Sequence, residues 1–139
     1  MATIQEIQAE IIEEFDMFEA WMEKYEYIIE LGKGLPIIDA KHKTDNNLIK
    51  GCQSRVWLHA DHQDGKIIYS ADSDAIITKG IVAILIRVLS NQAPEEIAKT
   101  NLAFIDKIGF KKQLSQTRAN GLVSMIKEIK LYALAYQNN

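Results

Sequence analysis

The stretch "AIITKGIVAILIRVLSN" (Ala75–Asn91) constrains the fold more than any other. Its apolar residues run almost all the way round a helix instead of along one face. Such a helix must be surrounded by other elements, so it is predicted to be central. Gly80 inside it predicts close packing against a neighbour. No apolar run approaches the ~18 residues of a membrane span. The chain of 139 residues, 47% hydrophobic and 25% charged, suits one soluble domain with one core, covering residues 1–139.

The other elements follow from period and punctuation. Thr3 with Glu6 forms a capping box, and Ile4, Ile7, Ile11 and Phe15 recur at helical spacing. Asp16 and Glu19 form a second cap-like pair, so a break is predicted near Asp16. The next helix places Phe18, Trp21, Met22, Tyr25, Ile28 and Ile29 on one face and ends at Gly32 and Gly34. Residues 36–47 read as loop, and Leu48–Gly51 as the start of a strand that breaks at the cysteine. Val56–His62 and Lys66–Ala71 read as two strands joined by an Asp-Gly hairpin signal. Ser73 or Asp74 is predicted to cap the central helix. Pro94 opens a short helix, Thr100–Ile108 a further one ended by Gly109, and Thr117–Tyr136 the last. The stripe of the last helix is Leu122, Met125, Ile126, Ile129, Tyr132 and Ala133. Strands grouped between helices indicate an α+β fold, a small antiparallel sheet packed against helices.

The net charge of −3 hides an asymmetry. Residues 1–31 hold nine acids and one base, a net −8, and the remainder carries +5. The acidic part reads first as a solvated helical face and second as a surface for a basic partner. No concentrated basic stripe points to nucleic acid. The acidic start "MATIQEIQAEIIEEF" lacks a signal-peptide pattern, so a cytoplasmic protein is expected. A monomer is expected as well, because the apolar stripes can all be used internally.

Cys52 in "KGCQSRVW" (Lys50–Trp57) is the only cysteine. That excludes an internal disulfide, a metal site needing two thiolates, and an iron–sulfur cluster held by this chain's thiolates alone. Residue type favours an inert core thiol. The setting favours a reactive one: Lys50 and Arg55 are close in sequence, and Gly51, Gln53 and Ser54 allow a tight turn with exposed N–H groups. Both readings stand on the residues alone. A papain-like hydrolase would need one of His42, His59 or His62 as base, but no nucleophile motif surrounds Cys52. His59 and His62 as metal ligands are weaker than the surface reading, and no metal site is expected. A dithiol cycle would need a resolving cysteine from another molecule. What remains is a thiol that accepts and passes on a group.

Four stretches in order now carry a resemblance: "YIIELGKGLP" (Tyr27–Pro36), "KGCQSRVWL" (Lys50–Leu58), "ADSDAIITKGIVAIL" (Ala71–Leu85) and "LSQTRANGLVSMI" (Leu114–Ile126). Together they resemble the SufE family of sulfur-acceptor proteins, including its CsdE branch, over nearly the whole chain from about Tyr25. Arg55 stands where glutamine or lysine is more usual, and "TRANGL" replaces a Ser-Arg-Ser-Asn-Gly-Leu type of run. The resemblance implies an α+β fold like the IscU scaffold, with the cysteine on a loop at one end of the sheet. It implies that Cys52 accepts persulfide sulfur from a cysteine desulfurase of the SufS or CsdA type, stimulates that enzyme, and delivers sulfur to a SufB-containing scaffold. It implies no cofactor in the carrier itself: pyridoxal phosphate belongs to the desulfurase and the cluster to the scaffold. By position, Gly51, Gln53 and Ser54 would shape the loop, and Asp74 and Arg118 would bracket the site. Their ordinary alternatives are a helix cap for Asp74 and a carboxylate partner for Arg118. A binding adaptor of the same fold with an inert cysteine is the competing reading. Because persulfides are easily reduced or oxidised, Cys52 is expected to tuck into an apolar pocket and to swing out on the desulfurase.

Overall fold

A computed structural model describes residues 2–137 of the chain. The elements run α1 (Ile4–Asp16), α2 (Trp21–Gly32), β1 (Val56–Gln63), β2 (Lys66–Ser73), α3 (Ile76–Leu89), α4 (Pro94–Lys99), α5 (Phe104–Lys107), α6 (Phe110–Gln113) and α7 (Gln116–Gln137). The architecture is the α+β arrangement the sequence predicts.

Helix α3 is the centre of the core. Ile77, Ile81, Val82, Ile84, Leu85, Ile86, Val88 and Leu89 are all buried, so burial does run round the helix. It packs on α2 through Gly80 and Gly32, where a β-carbon on Gly80 would sit 2.7 Å from Ile28 C. The predicted close approach at Gly80 is therefore real, and backbone meets backbone there.

Strands β1 and β2 pair antiparallel from Val56↔Ser73 to Gln63↔Lys66. Asp64 (φ 53°) and Gly65 (φ 79°) form the two-residue turn, whose left-handed torsions match the strand twist. One face is buried: Val56, Leu58 and Ala60 on β1, Ile67, Tyr69 and Ala71 on β2. The free edge of β2 is satisfied by loop and side-chain partners, since Ile67 N donates to Gln92 O, Tyr69 N to Ser90 Oγ and Ala71 N to Pro36 O. A two-stranded sheet is marginal alone. Here the helices and these edge bonds hold it.

The Thr3–Glu6 box opens α1: Glu6 N donates to Thr3 Oγ1 (3.1 Å) and Thr3 N to Glu6 Oε1 (3.3 Å). Several expectations are corrected. The second helix starts later than the Asp16–Glu19 pair suggests, because Glu23, not Glu19, reaches back to the chain entering α2, at Ala20 N. Met22 is 68% exposed and is no core residue. Leu48 makes only a single bridge to Trp57 instead of starting a strand, and residues 36–47 contain two short 3-10 turns, Ala40–His42 and Asp45–Asn47. Neither Ser73 nor Asp74 is the N-cap of α3. That position is Ala75, because the Asp74 carboxylate is used elsewhere. The helix expected over 100–108 is the shorter α5, after which Gly109 leads into α6, a further short helix that the sequence does not announce.

Arg87 of α3 reaches α1, where Nη1 and Nη2 donate to the two Glu14 carboxylate oxygens at 2.8 and 2.5 Å. Tyr27 Oη donates to the same carboxylate. The Arg87 hydrogen bond holds the Glu14 carboxyl below its usual range, against a partial opposing effect of burial. A carboxyl depressed in the folded state adds stability above its unfolded pKa and loses it as pH falls through the folded one. Glu14→Gln is therefore expected to be less stable than the parent at pH 7, with the gap closing as pH falls below about 4.3, the value of a free glutamate. Urea unfolding at pH 7 and pH 3 measures this. An equal gap at both pH values would show that shape, not charge, carries the contact.

Candidate functional site

The site is built where the chain leaves the sheet edge and returns to it. Ile49 N donates to Val56 O (2.8 Å), closing residues 50–55 into a short loop. Its entry depends on Gly51, which has φ +91° and lies against Ser124 of α7. Its exit is fixed at Arg55. Arg55 N donates to Asp74 Oδ1 (3.0 Å), Asp74 N to Arg55 O (3.3 Å) and Ser73 Oγ to Arg55 O (2.8 Å). Asp74 thus ties the end of the hairpin to the loop, which explains why it does not cap α3.

Between these anchors Cys52 turns inward. Its Sγ donates to Gly121 O at 3.6 Å, within the longer range of sulfur contacts. The sulfur borders a cavity of about 20 Å³ lined by Cys52, Gln53 and Ser54 from the loop, Thr78 and Ile81 from α3, and Thr117, Arg118, Gly121 and Met125 from α7. A volume of that order holds roughly one water-sized group. Burial pushes the Cys52 thiol above its ordinary range, because an anion is costly away from water. Lys50 and Arg55, adjacent in sequence, are exposed and do not line the cavity. The thiol-lowering setting suggested by the sequence is absent in this conformation.

The structure therefore brings Cys52, Gln53, Ser54 and Arg118 to one cavity, with Gly51 and Asp74 supporting the loop. Among the described residues Arg118 meets the Tyr25 hydroxyl (3.3 Å) and no carboxylate. The sequence marks none of Thr78, Ile81, Thr117, Gly121 and Met125 as a site residue, and reads Met125 only as part of the apolar stripe of the last helix. For α7 a signal is present all the same: 118, 121 and 125 share one face of a helix, so the cavity wall adjoins the core stripe at Met125. The histidines line no part of it. His42 and His59 stack on each other with ring centroids 3.7 Å apart, and His62 lies against Tyr136. Among the described residues no cluster of three or more His, Cys, Asp or Glu side chains is placed to hold a metal ion, and no helix is long and apolar enough to cross a membrane.

Fold and site define a small α+β domain that keeps one thiol, on a loop at the end of its sheet, sheltered against its last helix. The chain belongs to the SufE family: residues 9–133 match the family model described as "SufE: Fe-S metabolism associated domain". An uncharacterized SufE-like protein of Rhizobium meliloti is 41% identical over 126 residues, covering 87% of this chain and 90% of that protein. A second, from Synechocystis, is 36% identical over 136 residues, covering 98% and 86%. The solution structure of a hypothetical protein from Thermus thermophilus has the same fold, with a TM-score of 0.79 at 16% identity over 96% of this chain and 97% of that one. Membership sets the class of function: a sulfur-transfer partner in iron–sulfur metabolism, an acceptor or adaptor protein and not a classical enzyme.

Proposed function

We propose that Cys52 accepts sulfur from a cysteine desulfurase of the SufS or CsdA type, that the chain stimulates that enzyme, and that it passes the sulfur to a SufB-containing scaffold. The observation that carries this reading is the placement of Cys52 Sγ beside a cavity with space for about one further atom-sized group. Close-packed cores leave few voids of this size beside a side chain. Gln53, Ser54 and Arg118 form part of the wall, and Gly51 and Asp74 hold the loop ends.

The transfer is a thiol–persulfide displacement. The Cys52 thiolate attacks the outer sulfur of the donor's persulfide. A new Sγ–S bond forms, the donor's S–S bond breaks, and the donor leaves as a thiolate. The proton lost by Cys52 balances the one its donor regains, with no net oxidation. Attack needs thiolate, and both burial and the facing Gly121 carbonyl disfavour the anion in the sheltered position. The loop must therefore carry Cys52 outward on the desulfurase, and its glycine entry at Gly51 supports that motion.

The test is labelling. The chain is mixed with a desulfurase and radiolabelled cysteine, then separated without reductant. The parent is expected to gain label that dithiothreitol removes, and Cys52→Ser to gain none and to lose the stimulation of desulfurase turnover. Label and stimulation both surviving in Cys52→Ser would sink the carrier reading and leave the adaptor.

A further inference from the structure

We propose that Tyr25 is a positioning residue for this site: it holds the Arg118 guanidinium at the mouth of the Cys52 cavity, where that charge meets the sulfur anion in transit. The inference rests on Cys52 being the sulfur acceptor. Tyr25 lies on α2, in a stripe whose sequence reads as packing, and is only half-buried. Arg118 Nη1 donates to Tyr25 Oη at 3.3 Å, and the guanidinium carbon lies 5.9 Å from the Tyr25 ring centroid. One tyrosine thus engages the arginine through both its hydroxyl and its ring face.

Arg118 sits in the first turn of α7 and is exposed. A long exposed side chain ordinarily samples many rotamers. Here it lines the cavity beside Cys52, and Tyr25 is what restricts it. A guanidinium held at one place stabilises a sulfur anion passing that place. One that wanders does so only for a fraction of the time. The other charged groups of the loop and its support, Lys50, Arg55 and Asp74, line no part of the cavity, and the Asp74 carboxylate accepts from the Arg55 backbone. In the sheltered state the thiol faces the Gly121 carbonyl, so the arginine acts on the outward-moving sulfur, not on the resting one. Tyr25 itself touches no reacting atom and works through Arg118.

Alkylation of Cys52 by iodoacetamide reads this directly. The thiolate displaces iodide, a sulfur–carbon bond forms, and the rate follows the thiolate fraction of the outward state. The measurement needs no sulfur donor, so its outcome is separate from that of the labelling experiment. Tyr25→Leu, which removes ring and hydroxyl, is expected to slow alkylation at pH 7 about fivefold and to move the midpoint of the pH–rate profile upward, as expected when a nearby cation is released. Tyr25→Phe keeps the ring and the packing, and is expected to slow it about twofold. Arg118→Gln is expected to slow it more than Tyr25→Leu, because it removes the charge that Tyr25→Leu only frees. Adding Tyr25→Leu to Arg118→Gln should then change nothing further, because the tyrosine has nothing left to hold. A purely structural role predicts the opposite sign, since loosening α2 would expose Cys52 and speed alkylation. Faster or unchanged alkylation in Tyr25→Phe and Tyr25→Leu, or a further slowing in the double variant, overturns the proposal.

Discussion

Gly80→Ala is expected to lower the unfolding free energy by about 3 kcal/mol, at the upper end of ordinary overpacking costs. The added methyl would lie 2.7 Å from both Ile28 C and Ile28 Cγ2, and closer still to the Ile28 carbonyl oxygen. The side-chain atom could rotate away, but the carbonyl is part of α2 and cannot. Relief requires the two helices to separate, and α3 is the element around which the core is assembled. The gain of about 1 kcal/mol in helix propensity does not offset this. The approach is reciprocal, since a β-carbon on Gly32 would sit 3.0 Å from Gly80 N. Urea unfolding followed by tryptophan fluorescence measures the effect, and the melting temperature should fall by about 10 °C in a chain of this size. Stability within about 1 kcal/mol of the parent, the lower end of overpacking costs, would mean that the α2–α3 contact is slack.

Gly51→Ala is expected to displace the thiol loop while leaving the fold largely intact. Its φ of +91° costs an alanine about 1–2 kcal/mol, and the new methyl would press on the Ser124 hydroxyl, with Ser124 Cβ 3.4 Å away. The strain falls on a six-residue loop whose ends are anchored at Ile49–Val56 and Arg55–Asp74. The loop therefore yields before the core does. A shift of about 1.4 kcal/mol toward the outward state raises its population tenfold, so alkylation of Cys52 should speed up about tenfold while the urea midpoint moves little. Adding Ser124→Ala removes the hydroxyl contact but not the torsional strain, so it should restore part of the shelter. An unchanged alkylation rate in Gly51→Ala would show that Gly51 does not hold the sheltered conformation. The direction matters as much as the size: loosening the loop speeds alkylation, whereas releasing Arg118 slows it.

Much of the fold was legible because local rules and the tertiary structure agree. The Thr3–Glu6 box, the Asp64–Gly65 turn and the stripe of α7 each depend on residues a few positions apart. The misreadings come from what the rest of the fold supplies around a residue or leaves open beside it. Asp74 looks like a cap, but the Arg55 N–H, 19 residues earlier, takes its carboxylate. Gln8, which no local rule singles out, is buried, donating to Asn101 O and accepting from Phe104 N. Met22 fits the apolar period of α2, but the described residues leave that part of the helix surface open to solvent.

By itself the sequence determined which chemistry is available. One cysteine excludes paired thiolates, its glycine-led polar loop marks an unusual place for a thiol, and an all-round apolar segment must be the centre of the core. Only the tertiary structure decided the state of that thiol. The two cations beside Cys52 in sequence stay outside its cavity. Apart from Gln53 and Ser54, the groups that line it come from α3, 26 and 29 residues later at Thr78 and Ile81, and from α7, at Thr117, Arg118, Gly121 and Met125. Desolvation and a facing carbonyl depend on what folds back over an atom, and neighbours in sequence do not specify that.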